Sequence, residues 1–177
     1  SKWGDHCAIN RGVEGHLQPQ RPAFVVHRLD RAATGLILIA HGKKVASALS
    51  ALFQQRQIEK RYCVLVLGRF PDLPLPLRLE GCIDGRDAFT QVLRAEYDTS
   101  NNRTELDVSI ETGRKHQIRR HLAEYGYPVV GDRLYGFAEI HGQSRHAENL
   151  QLCCNYLAFR CPVTAQDRVY HLVRPDI

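Results

Sequence analysis

The chain has 177 residues, 44% of them hydrophobic and 24% charged, with a formal net charge of +5 and a pI of about 9.0. This balance excludes a disordered chain, and the length suits one domain (1–177) with a substantial core. No apolar run reaches membrane-spanning length and no signal-peptide hydrophobic segment opens the chain, while the basic balance favours polyanionic partners.

Residues 1–23 carry little periodicity and are broken by Gly4, Gly12, Gly15, Pro19 and Pro22, which predicts a loop-rich lead-in. The chain opens on Ser1 and contains no methionine, so its N-terminus is expected to be a processed or truncated end. Phe24-Val25-Val26 is a short apolar run that leads to His27-Arg28-Leu29-Asp30-Arg31. Thr34-Gly35 reads as a turn, and Leu36 to Ala40 reads as a strand buried on both faces. Lys43 to Gln57 is a helix candidate, with Val45, Leu49, Leu52 and Phe53 forming one apolar stripe. Lys60 to Gly68 reads as a strand that is apolar on both faces after Tyr62. The segment 71–88, with Pro71, Pro74 and Pro76, reads as a crossover loop ending in a turn at Asp84-Gly85. Phe89 to Tyr97 and Thr104 to Ile110 form a hairpin, the second strand alternating Leu106, Val108 and Ile110 against Glu105, Asp107 and Ser109. A helix is expected after Thr112, which can serve as its N-cap. Ile118, Leu122 and Tyr125 would form its buried stripe and Gly126 its end. Leu150 to Phe159 and Arg168 to Val173 read as closing strands about a Pro162 turn.

Six cysteines (Cys7, Cys63, Cys82, Cys153, Cys154 and Cys161) include no Cys-x-x-Cys pair. Cys63, Cys153 and Cys154 lie in apolar patterns and read as reduced core residues of a cytosolic, cytoplasmic protein. His116 and His121 are five residues apart, not the four that place two histidines on one helical face, so no metal site is expected there. Two stretches concentrate charge. In the first, Asp30 sits among His27, Arg28 and Arg31, which suits an ionised carboxylate poised at a sheet edge and equally a loop ion-pair cluster. In the second, Arg114, Lys115, Arg119 and Arg120 crowd a helix start, where positive side chains oppose the helix dipole, which suits a matching carboxylate or phosphate and equally a solvated basic face.

His27-Arg28-Leu29-Asp30, followed by Ala33-Thr34-Gly35 and an aliphatic run, resembles the catalytic motif of the RluA-type RNA pseudouridine synthases. Thr112-Gly113-Arg114-Lys115-His116-Gln117-Ile118-Arg119-Arg120-His121-Leu122 resembles the second signature of that family, continued by Gly126-Tyr127-Pro128 and Gly131-Asp132-Arg133-Leu134-Tyr135-Gly136. Lys60-Arg61-Tyr62 is similar to a third. The resemblance implies an α+β fold: a mixed, mostly antiparallel sheet with flanking helices and a central active-site cleft. It implies that Asp30 is the essential catalytic residue, that Arg119 pairs with it, and that Tyr62 stacks on the target base. Arg28 would fill the space vacated by a flipped nucleotide or hold the flipped backbone, and His27, Lys60, Arg61, Arg114, Lys115, His116 and Arg120 would contact RNA. The implied reaction isomerises a uridine of ribosomal or transfer RNA to pseudouridine, with no cofactor and no metal. The wording around Arg114–His121 and Gln57–Tyr62 is similar to the TruC-like transfer-RNA branch. Two family features differ: the N-terminal strand with its Lys-Pro motif is missing, and the late Leu-His-Ala motif reads Leu152-Cys153-Cys154.

The chain is expected to be a monomer. Two other readings use the same residues. One is an RNA-binding module of the same fold without catalysis. The other is a phosphotransferase or hydrolase with an aspartyl nucleophile, which would need Mg²⁺ and a second carboxylate, Asp132 being the candidate.

Overall fold

The computed structural model describes residues 6–136 and 148–173. In chain order these form helix α1 (His6–His16), strands β1 (Phe24–Val25), β2 (Thr34–Gly35) and β3 (Ile39–Ala40), helix α2 (Lys43–Gln54), strands β4 (Glu59–Leu67), β5 (Leu77–Ile83), β6 (Arg86–Asp98) and β7 (Arg103–Ile110), helix α3 (Gln117–Glu124), and strands β8 (Leu152–Arg160) and β9 (Asp167–His171). The main sheet runs β2-β8-β4-β7-β6-β5, with β9 also paired to β8. Only the β2–β8 pairing within it is parallel. Among the described residues no helix is long and apolar enough to cross a membrane.

Period-two alternation sorts the sheet's faces. Val64 and Val66 of β4, Val92 of β6, and Leu106 and Val108 of β7 share one face and are fully buried. Ile118 and Leu122 of α3 pack onto them. A second cluster places Leu49, Val45, Leu52 and Phe53 of α2 against Phe24, Val26 and Ala40. A third joins the two: Ile58, Cys154 and Leu157 hold Leu29, Leu36, Leu38 and Tyr62. Leu29 therefore fixes the backbone next to Asp30. Cys63, Cys153 and Cys154 are buried, and burial raises the thiols of Cys63 to about 12 and Cys154 to about 11.

The structure corrects several expectations. The lead-in contains α1, because Pro19 and Pro22 fall beyond its end and only glycines fall inside it. Glu14 on this helix accepts a hydrogen bond from the Ala23 backbone at 3.0 Å. The run 36–40 is not one strand buried on both faces. Its start pairs Thr34 with Cys153 and Gly35 with Cys154, and its end pairs Ile39 and Ala40 with β1 in a separate two-stranded sheet. The chain must turn between these partners, so Leu36 to Ile39 are only half-buried. Helix α2 stops before Gln57 because Arg56 takes a left-handed conformation, φ 58°.

The segment 71–88 holds a strand, β5, whose Leu77, Leu79, Gly81 and Ile83 alternate with exposed Arg78, Glu80 and Cys82. The three prolines lie before it. Asp84-Gly85, with φ 52° and 73°, closes a two-residue hairpin onto β6. Thr112 does not cap α3: its hydroxyl accepts the Phe89 N–H at 3.0 Å and donates to Gln117 Oε1 at 2.6 Å. The helix begins later, after His116 in a left-handed conformation. Tyr125 is at the helix's C-cap, 38% exposed rather than in the buried stripe, and packs beside Phe70 and Tyr127.

The parallel β2–β8 contact is a close backbone approach. Gly35 has φ 111°, and a Cβ there would stand 2.3 Å from the Cys154 carbonyl oxygen. Gly35→Ala therefore combines backbone strain with a clash that no rotamer relieves, and should destabilise the fold by about 2 kcal/mol or more. Guanidinium unfolding checks this, and a loss below ~0.5 kcal/mol would contradict the close approach.

Candidate active site

A cavity of about 510 Å³ opens where the 26–33 loop, the end of α2, the start of β4 and the β7–α3 turn converge. Asp30, Tyr62, Arg28, Lys60, Arg114 and Lys115 are on its wall, together with His27 and the unanticipated Arg56 and Glu111. Leu29, Ile110, Ile118 and Leu152 supply apolar lining.

Asp30 is held from both sides. Its backbone carbonyl accepts the Ala33 N–H at 2.9 Å, closing a turn directly before β2. Its carboxylate faces the Arg119 guanidinium at 3.5 Å, with side-chain exposures of 19% and 7%. Arg119 is itself clamped. Asp132, fully buried, takes its Nε and Nη2 protons in a bidentate pair at 2.7 Å each. Asp132 Oδ1 also accepts the backbone N–H groups of Leu134 and Tyr135 at 2.9 and 3.1 Å. The Tyr135 ring lies beside the guanidinium, 5.2 Å from its centre, and its hydroxyl contacts His116 Nδ1 at 2.9 Å. Burial opposes the charge on both partners, yet the Arg119 bonds hold the Asp132 carboxyl below its ordinary range, and Asp132 and Asp30 raise Arg119.

The Asp132 segment is positioned by backbone contact. Val130 donates to Leu65 O, Gln151 donates to Val130 O, and Gly131, at φ 75°, lies so close to Asn149 that a Cβ would stand 2.1 Å from its carbonyl oxygen. The second carboxylate anticipated near Asp30 is thus present, but the Arg119 guanidinium bridges the two acids. That geometry suits a fixed counter-charge, not a dication held between them.

Tyr62 and Lys60 point to the cavity because they alternate with Glu59 and Arg61 along β4. Burial, then Cys154 and Asp30, raise the pKa of the Tyr62 hydroxyl. Burial also lowers Lys60. Gln117 anchors the β7–α3 turn: its amide donates to Phe89 O and Thr90 Oγ1, while its oxygen accepts from Thr112 Oγ1 and the Arg114 N–H.

Three residues expected to contact RNA lie outside the cavity lining. Arg61 is bound to Glu59 and stacks over Tyr156, on the other side of β4. Arg120 pairs with Asp84 at 3.1 Å, about a hundred degrees around α3 from Arg119. His116 is engaged with Tyr135 behind Arg119. His27 does line the cavity, but its Nε2 accepts the Leu38 N–H at 2.8 Å and its ring stacks on Phe53. An accepting Nε2 requires a neutral imidazole, and burial and then Lys60 push its pKa down to about 4.

Two outcomes follow from this geometry. Asp132→Asn leaves the buried Arg119 without its bidentate partner and should cost about 3 kcal/mol in a urea unfolding experiment. The unfolded His27 titrates near 6.5 and the folded one near 4. Between these values the unfolded state binds the extra proton, so stability falls as pH drops from 6.5 toward 4 and is unaffected by this group above 6.5. An NMR titration should show the His27 ring neutral down to about pH 4, and protonation near 6.5 would refute its role as acceptor.

Comparison with known proteins gives this arrangement a context. The chain is 37% identical over 153 residues to the dual-specificity RNA pseudouridine synthase RluA of Vibrio cholerae, covering 78% of this chain and 60% of that one. It is 31% identical over 178 residues to tRNA pseudouridine synthase C of Haemophilus ducreyi, covering 84% of this chain and 71% of that one. The chain spans about half the length of the first curated relatives it matches. The fold is that of the human RNA pseudouridylate synthase domain containing 1, with a TM-score of 0.72 at 23% identity over 88% of this chain and 70% of that one. The family profile described as RNA pseudouridylate synthase matches residues 6–124, which include Asp30, Tyr62 and Arg119. A carboxylate clamped to a buried arginine within that profile, on that fold, and relatives of the RluA type beside it place the chain in the RluA-type RNA pseudouridylate synthase family.

Proposed function

We propose that this chain isomerises uridine to pseudouridine in structured RNA, with Asp30 as the catalytic carboxylate. The observation that carries the reading is the placement of Asp30 on the cavity wall, backed by Arg119 and accompanied by Tyr62 and several cations. The reaction must break the C1′–N1 bond, turn the uracil, and form a C1′–C5 bond. Two routes start from one ionised carboxylate: attack on C1′, which sends the bond electrons to the departing uracil, or removal of a proton from the ribose. In either case C5 finally loses its hydrogen as a proton. Arg119 offsets the repulsion between Asp30 and the RNA backbone. The target uridine leaves its stack at a cost of a few kcal/mol, and stacking on Tyr62 offsets part of it.

Arg28, Lys60 and Lys115 line the cavity and make no ion pair with any described residue. They suit phosphate contacts, as does Arg114, whose Nε is held on Asp87 O at 3.0 Å. We assign the substrate to ribosomal or transfer RNA, with the Arg114–His121 wording favouring transfer RNA.

The reading is tested with transfer and ribosomal RNA transcripts tritiated at uridine C5. Wild type should release tritium to water, Asp30→Ala should lose at least about a thousandfold in rate while still binding RNA, and equal release from both would refute the role of Asp30. Binding without release by wild type would indicate a non-catalytic RNA module. Tyr62→Ala should lose about tenfold to a hundredfold, the worth of one stacked base, and Tyr62→Phe should keep most activity, because the ring and not the hydroxyl meets the base.

A further inference from the structure

We infer that Arg56 and Lys60 form a phosphate-binding subsite on the α2 side of the cavity, and that Arg56 is held in an unfavourable backbone conformation to supply it. This rests on the reading of the chain as an RNA enzyme and adds a residue that the sequence motifs do not mark.

The end of α2 is a Schellman motif. Gln57 N–H bonds Leu52 O at 2.9 Å and Arg56 N–H bonds Phe53 O at 3.2 Å, which makes Arg56 the left-handed residue beyond the C-cap. Glycine is the usual residue there, since a Cβ crowds the backbone in that conformation. Asp84 and Asn102, which also have positive φ, are of types that tolerate it, whereas arginine is not. The backbone turn closes the helix, but nothing in it requires an arginine: the Arg56 guanidinium makes no hydrogen bond, ion pair or ring contact with any described residue. Its side chain lines the cavity instead.

Lys60 lies on the same wall. Its amine reaches across to the β7–α3 turn, 3.7 Å from where a Cβ on Gly113 would stand. It too has no anionic partner among the described residues. Burial disfavours the charge on Lys60, Cys154 partly offsets this, and the Arg56 charge disfavours it further. Two cations on one cavity wall, neither paired with an acid among the described residues and one of them on a strained backbone, are matched by an RNA phosphodiester bridging them. A strained residue retained against local stability is the pattern expected of a binding group.

The test compares wild type, Arg56→Gly and Arg56→Lys, all in the Asp30→Ala background so that no turnover is needed, for binding to bulk transfer RNA over a range of salt. Arg56→Gly should raise the thermal midpoint by a few degrees, weaken RNA binding about fivefold to tenfold at 0.1 M salt, and lower the slope of log Kd against log salt by about one. Arg56→Lys should keep the slope. Unchanged affinity and slope in Arg56→Gly would overturn the subsite, and a lowered midpoint would overturn the strain argument. Because the readout is binding, a wild type that binds RNA but releases no tritium sinks the catalytic reading and leaves the subsite standing.

Discussion

The buried Arg119 guanidinium, bound bidentately by Asp132 and facing Asp30, is the interaction on which the rest of this structure depends. A buried cation without partners is costly, and so is a buried carboxylate. Together they form a closed unit in which Asp132 satisfies most of the guanidinium and leaves one edge for Asp30. The 3.5 Å separation from Asp30 contrasts with the 2.7 Å bonds to Asp132. The tight pair fixes the arginine, and the looser one leaves a carboxylate that is supported without being consumed.

Much of the remaining architecture serves to bring those three side chains together. Gly35 lays its backbone on β8 and so sets the distance from Asp30 to the sheet. Gly131 does the same for Asp132 against Asn149. Both are close approaches where a Cβ is excluded by backbone atoms, not by movable side chains. Gln117 ties the start of α3 to β6 through two hydrogen bonds and to the β7–α3 turn through two more, which orients Arg119 two residues later. His27 fastens the loop from the other side by accepting the Leu38 N–H, a task that needs a neutral ring.

The cavity wall follows a different logic. Around the fixed acid stand cations that mostly lack ion-pair partners among the described residues, while several arginines outside the cavity are paired. Arg61 has Glu59, Arg94 has Asp107, Glu105 and Glu96, Arg103 has Glu148, and Arg120 has Asp84. A cavity wall that gathers cations without neutralising them suits an anionic ligand.

The local order of the chain could be read from its residues. The alternation of Leu106, Val108 and Ile110 gave a correct strand, and Gly126 gave a correct helix end. Asp30, Tyr62 and Arg119 stood out because long motifs surround them. Some misplacements needed only a stricter use of the same periods: a period of two already turns Arg61 away from Lys60 and Tyr62, and Asp84-Gly85 is a strong hairpin signal whose first strand was hidden behind three prolines. Other features were not legible in principle. That one apolar run splits between two sheets, that Thr112 bonds across to Phe89 instead of capping a helix, that Asp30 and Asp132 share one guanidinium, and that Arg56 turns into the cavity are all decided by contacts between segments distant in sequence. The sequence determined which side chains can carry charge and which faces are apolar, because those depend on residue type and local period. Only the tertiary structure decided which charges meet, because that depends on the register and packing that bring separate strands and loops to one place.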